Sequence, residues 1–242
     1  MMGRKTKNIK PLIYVFCEGE SEQVYTDFLK ETFKNVAVIK RPNQIGVFEI
    51  ADAMFKKNPN YRDYKEVTDE IWFFFDTEEK DKDKWDSRLK IMKNLSRKPG
   101  KEKIKIRLLM TKACVEYWLL LHYKKTNPDI QTPEDKLRIT NMLKKYEASY
   151  EKGDKASTYS IASKYQTAVS NSKQILNSLS PQGIPTLEDN DERNKWLYSC
   201  SKTFSTVHEA IEYLQNLKNK EITNQKSLFS VAFFFKEVRY WK

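Results

Sequence analysis

Residues 14–29 read YVFCEGESEQVYTDFL, and their reading decides the fold. An apolar run stops abruptly at acids, and an amphipathic segment follows at once. The run begins at Leu12 as LIYVFC, short and continuous, the pattern of a strand covered on both faces. Residues 21–33 then place Val24, Tyr25, Phe28 and Leu29 at helical spacing, with acids in the first turn where the helix dipole favours them. A buried strand running straight into a helix is the repeating unit of parallel α/β sheets. Glu18, Glu20 and Glu22 stand at the mouth of such a unit.

The same alternation continues downstream. Residues 36–39, VAVI, predict a second strand, and 46–57 a helix carrying Phe48, Ile50, Ala51 and Met54. Residues 70–75, EIWFFF, predict a third strand that ends at Asp76, and a charged helix over 80–97 leads to a fourth strand over 104–110. The fold expected is α/β, a mainly parallel sheet flanked by helices. From about Thr111 the strands cease. An apolar helix over 114–123 should enter the core, further helices are expected over 133–150 and 164–179, and polar loops over 151–160 and 180–196. Ser205 or Thr206 can cap a final helix, with Glu209 at capping-box distance from Thr206. The tail SLFSVAFFFKEVRYW fits an edge strand or a packed helix, its residues 233–235 serving the core or docking a partner. An α/β core over 1–123 and a mostly helical portion over 124–242 are thus expected, packed as one unit.

Composition narrows the function. The chain of 242 residues carries 44 Lys and Arg against 33 Asp and Glu, a net charge of +11. Such an excess attracts polyanions, and nucleic acid is the leading partner class; many of the lysines are equally suited to ordinary solvated faces. No apolar run approaches the roughly 18 residues that span a bilayer, and the amino terminus lacks the apolar centre of a secretory signal, so a cytoplasmic protein without membrane contact is expected. Cys17, Cys114 and Cys200 are odd in number and far apart, which argues for reduced thiols rather than a disulfide framework or a zinc ribbon. His122 and His208 are the only histidines, too few for a multi-histidine zinc site, and no GxxxxGK[ST] motif is present for a P-loop.

In a parallel sheet the carboxyl ends of the strands face a common crevice where ligands bind. Glu18 closes the first strand there and Asp76 the third, with Glu78 and Glu79 just beyond. Carboxylates gathered at one rim resist ionising together unless a cation offsets them. Mg²⁺, bound by one or two carboxylates with waters and phosphate oxygens, suits such a set, and Gly19 lets backbone approach a phosphate closely. The plainer alternative is that these acids only cap helices. Arg107 and Lys112, near the fourth strand, are candidate phosphate binders.

Three stretches carry a resemblance. CEGESEQVY is similar to the EGxTExxY signature of RloB-like proteins, ACVEYWLLLHY resembles that family's PCFExWLLLHF segment, and STVHEAIEYL resembles its later Ser/Thr-initiated helix. The resemblance implies a Toprim-like sheet, a divalent metal (Mg²⁺ or Mn²⁺), cleavage of phosphodiester bonds in RNA or DNA within bacterial antiphage defence, and a partner ATPase. By position, Glu18 would be the strand-end acid, acting as metal ligand or general acid/base, Asp76 and Glu78 would fill the acidic places of a DxD motif and complete the metal ligands, and Glu22 would support them. Glu116 and His122 match the acid and histidine of the later segment. The chain departs from the pattern with Glu78 where Asp is usual and Ala113 where Pro is usual. The alternative of another class is a subunit that binds nucleic acid or an ATPase without catalysis.

Overall fold

The run LIYVFC forms β1 (Leu12–Cys17), buried from its second residue onward. Gly19 then turns the chain into α1 (Glu20–Thr32), whose first turn carries Glu20 and Glu22. β2 (Val38–Lys40) and α2 (Phe48–Lys57) follow, then the single turn α3 (Pro59–Arg62), capped by Asn58. The computed structural model describes residues 10–98 and 102–237, with side chains of the last helix described through 223.

Four strands form one sheet in the order β2-β1-β3-β4, with β3 (Glu70–Thr77) and β4 (Lys105–Lys112). Every pair is parallel. The chain moves outward from β1 to β2, then returns past β1 to lay down β3 on its other side. That reversal opens a crevice between the carboxyl ends of β1 and β3. The third strand runs further than its apolar run, because Asp76 and Thr77 continue the ladder opposite Thr111 and Lys112. Asp76 is therefore a strand residue rather than the residue after one.

Alternate side chains divide between two cores. Ile13, Val15, Trp72, Phe74 and Leu109 face one way; Tyr14, Phe16, Phe73, Phe75 and Met110 face the other. On the first side α1 packs with α5 (Val115–Leu120), α6 (Pro133–Lys144), α7 (Lys155–Ala162), α8 (Tyr165–Asn177) and the start of α10 (Val207–Glu237). On the second side lie α2, α4 (Trp85–Leu95) and α9 (Asp191–Ser199). The first core joins residues on both sides of Tyr123 without a break. Among the described residues, no helix is long and apolar enough to cross a membrane.

Several expectations need correction. The charged helix of 80–97 begins as a 3₁₀ segment, Glu79–Lys84, because buried Asp81 turns inward to Arg88 and receives Lys84. The helix of 133–150 ends at Lys144, and Tyr150 folds back into the interior. The loops expected at 151–160 and 180–196 contain most of α7 and most of α9. α7 buries Ser157 and Thr158 beside Ile161 and Ala162, and α9 buries Arg193 and Asn194, so neither shows a clean apolar period. The capping box at Thr206 does not form: the Thr206 hydroxyl donates to Leu108 O at 2.7 Å and accepts from Met110 N at 2.9 Å, and Glu209 receives Arg193 at 2.5 Å. The backbone of the tail through Glu237 is helical rather than an edge strand; the side chains of 233–235 lie outside the described residues.

The contacts of Thr206 bind the outer edge of β4. Lys112 N donates to Phe204 O at 3.0 Å and Thr206 N to Met110 O at 2.9 Å, with Thr111 and Ser205 bridged antiparallel.

Candidate active site

At the crevice, Glu18 and Asp76 are joined through the backbone. The Asp76 N–H donates to Glu18 Oε2 at 2.8 Å, and the Glu18 N–H donates to Phe74 O at 3.0 Å. In the first turn of α1, Glu22 is 3% exposed. Its carboxylate lies back over residue 19, where a Cβ would meet Glu22 Oε2 at 2.9 Å. Gly19 is extended, with φ of −143°, so glycine serves here by leaving space rather than by adopting an unusual conformation.

Glu116 enters from the first turn of α5, 6% exposed, and accepts from the Tyr150 hydroxyl at 3.2 Å. A fifth group comes from the polar loop expected over 151–160. Gly153 adopts a φ of +77° and its N–H donates to Ser21 Oγ at 3.1 Å, against the start of α1. A side chain at 153 would strike Glu20 at 2.9 Å. This docking holds Lys152 beside the acids.

The electrostatics follow from this gathering. Burial raises the Asp76 carboxyl well above its ordinary range, Glu22, Glu18 and Glu116 raise it further, and Lys152 opposes them. Glu22 is pushed up to about 7, by burial first, with its own backbone N–H and Lys152 resisting and Glu18 and Glu116 adding to the rise. Glu18, though at the surface, loses enough water at the rim to be raised as well, despite the Asp76 N–H. Partial burial works against the Lys152 cation, but the pull of Glu116, Glu22 and Asp76 outweighs it. A carboxyl poised near neutral pH can accept or donate a proton under ordinary conditions.

The other expected residues lie differently. Glu78 pairs its carboxylate with Lys136 and Lys80, while its charge still helps to raise Glu18; burial alone would raise Glu78, but hydrogen bonds from these lysines bring it below its usual value. His122 is in the interior. A carbonyl only accepts, so Nδ1–H donates to Trp118 O at 3.0 Å and Nε2 is left to accept from the Tyr25 hydroxyl at 3.0 Å. Burial lowers its pKa to about 3, and its ring stands 5.0 Å from Trp118 and 5.6 Å from Tyr25. Arg107 lies toward the amino end of β4, held by Glu70 at 3.1 Å, whereas Lys112 ends that strand at the crevice. Cys17 and Cys114 are buried free thiols pushed up to about 12 by burial, unsuited to nucleophilic work.

The donor set fits a hard cation. Glu22 Oε2 and Asp76 Oδ1 are buried carboxylate oxygens without a hydrogen-bond partner among the described residues, and all the candidate donors are oxygens, the choice of Mg²⁺ and Mn²⁺. Among the described residues no three acids, histidines or cysteines stand close enough to enclose an ion unaided. Mg²⁺ commonly takes only one or two carboxylates, with waters and phosphate oxygens completing its shell.

A four-stranded parallel α/β sheet with acids clustered at its topological switch point is the class of protein that fold and site define. The model of the family described as RloB-like protein matches residues 13–214, most of the chain, and the chain belongs to that family. No match was found among curated proteins or solved structures.

Proposed function

We propose that the protein is a metal-dependent nuclease that hydrolyses phosphodiester bonds of RNA or DNA, working in the cytoplasm in bacterial antiphage defence under the control of a partner ATPase. The observation that carries this reading is the Glu18–Asp76 clamp at the switch point, with Glu22 raised to about 7 beside it. The net charge of +11 supports a polyanionic substrate. Glu18 and Asp76 would hold the Mg²⁺ or Mn²⁺, and Glu22 would stand behind them. When bound, the ion supplies charge stabilisation and a more acidic water. Glu22 holds or accepts a proton close to neutral pH, the Asp76 N–H keeps Glu18 oriented, and Lys152 limits the mutual repulsion of the acids.

The test is cleavage of labelled single-stranded RNA, transfer RNA and duplex DNA with Mg²⁺, Mn²⁺ or EDTA, comparing wild type with Glu18→Ala and Asp76→Ala. Metal-dependent cutting lost in both variants supports the reading. Cutting that survives in EDTA, or in both folded variants, overturns it. A second reading, a binding subunit without catalysis, is favoured by one observation: the Glu78 carboxylate is engaged by Lys136 and Lys80 rather than joined to the other acids.

A further inference from the structure

Beside the acids, beyond the ends of β3 and β4, lies a cleft of about 360 Å³ whose walls include Thr77, Lys80, Lys112, Thr132 and Lys136, with Glu78 among them. Three lysines facing one small space repel one another unless an anion lies between them. The Glu78 carboxylate fills that place for two of them, one oxygen receiving Lys136 and the other Lys80. Lys112 is 5% exposed and its ammonium donates to Cys200 O at 2.9 Å, a single acceptor among the described residues for a group with three protons to donate. Thr77 is 1% exposed and its hydroxyl has no partner among the described residues. The amino end of α6 also opens here. The capping box takes the amides of Thr132 and Asp135 and Pro133 has none, so the helix contributes chiefly the positive end of its dipole.

We propose that this cleft is a phosphate subsite and that the Glu78 carboxylate is its built-in occupant. A phosphate of the nucleic-acid substrate takes Lys80 and Lys136, and Glu78 is displaced toward Glu18 and Asp76. A phosphodiester group has the same charge as a carboxylate and matches its acceptor geometry, so the exchange leaves the lysines paired throughout. The exchange also accounts for the pairing of Glu78 with lysines in the free protein. The inference rests on the nuclease reading only for the owner of the phosphate. The cleft's preference for phosphate can be measured without any cleavage.

The experiment is binding of a labelled single-stranded oligonucleotide to the full chain in EDTA, followed by anisotropy over a range of salt, with inorganic phosphate as competitor. Glu78→Gln removes the competing charge and should tighten binding about fivefold or more. Lys136→Met and Lys80→Met should weaken it, each lowering the salt slope by about one. Lys80 has a side chain 75% exposed, so its replacement leaves folding intact and keeps the test open should Lys136→Met misfold. Lys173→Met, on α8 and paired with Glu212 at 2.7 Å, serves as the control for loss of charge alone. Absence of binding, unchanged affinity in Glu78→Gln, or a Lys80→Met effect no larger than that of Lys173→Met overturns the proposal. Inorganic phosphate that raises the melting temperature of wild type but not of Lys80→Met, while the oligonucleotide fails to bind, assigns the cleft to a small phosphate and overturns the nucleic-acid form. A protein that binds as expected but never cuts RNA or DNA with metal present retains the subsite and loses the nuclease reading.

Discussion

Glu18 Oε2 accepts the backbone N–H of Asp76 at 2.8 Å, so the acid that leaves β1 is tied to the backbone at the next acid in space, 58 positions later in sequence. Glu18→Gln keeps an acceptor oxygen for that N–H, whereas Glu18→Ala leaves it without one. The glutamine variant should melt close to wild type and the alanine variant should lose about 1 kcal/mol. Metal-dependent cleavage should fall about a hundredfold or more in both. Thermal unfolding and single-turnover cleavage separate the two effects, and an active glutamine variant would remove Glu18 from the chemistry.

The raised acids predict that a divalent ion stabilises the protein in a pH-dependent way. Glu22 moves from 4.5 in the unfolded chain to about 7 in the folded one. The folded state therefore holds the extra proton between those values, and the stability this contributes is full below 4.5 and lost as pH rises through 7. Mg²⁺ binds the deprotonated site, so it should raise the melting temperature more at pH 8 than at pH 5. Glu22→Gln should remove part of the decline measured in EDTA, the raised Asp76 and Glu18 carboxyls supplying the rest. Equal Mg²⁺ shifts at both pH values would count against a metal held by these carboxylates.

The histidines predict the opposite slope on the acid side. Burial depresses His122 from 6.5 to about 3 and His208 to about 4. The unfolded chain takes up these protons first, so their stabilisation is present above 6.5 and is lost as pH falls through that window. Each contributes up to about 1.4 kcal/mol per pH unit. His122→Gln, which keeps polar groups near Tyr25 and Trp118 but does not titrate, should flatten the acid limb of a calorimetric pH series while leaving cleavage within a few fold. A large loss of cleavage without loss of stability would return His122 to the active site.

Ala113 sits at a φ of +71°, with Cys114 N donating across it to Lys112 O at 3.0 Å and its own N–H donating to Thr77 O at 3.1 Å. This is a γ-turn with a side chain in the left-handed region, a conformation that costs about 1–3 kcal/mol. Ala113→Gly should stabilise by up to about 1 kcal/mol, the relief of strain being partly offset by unfolded-state entropy. Ala113→Pro should destabilise by several kcal/mol, since proline needs a φ near −65° and has no N–H for Thr77. The proline usual at this place in the resembling motif therefore requires a different backbone path there. Urea titration of the two variants checks both signs.

What the sequence made legible was whatever rests on apolar period and on chain order. β1 occupies the predicted residues, the strand-helix alternation yields the parallel sheet, and the acids at the ends of β1 and β3 meet as strand ends at a switch point must. What stayed hidden were features carried by buried polar groups. α9 is held by Arg193, 1% exposed and bonded to Glu209, Asp189 and Asn194, a polar anchor that reads in sequence as surface. Its only local signs were Asn190 as cap and Asp191 and Glu192 in the first turn. Lys152 was illegible because its position depends on a docking between Gly153 and Ser21, 132 positions apart; the one local hint was the glycine. The direction in which Glu78 turns depends on Lys136 of α6, which no spacing within DTEE reveals.

The strap of Phe204–Thr206 along β4 has a consequence for the protein in a crowded solution. An open strand edge is a template for another chain, and parallel sheets with apolar strands such as EIWFFF are the ones most liable to recruit it. Here β4 has its outer groups taken at Met110 and Lys112 by the strap, and the opposite edge is the three-residue β2, which ends in an exposed lysine. The most aggregation-prone strand lies third in a row of four, with partners on both sides. The molecule thus guards its sheet against cross-β growth by the segment that leads into its last helix, and disrupting the Thr206 hydroxyl would expose that edge before it touched the acids.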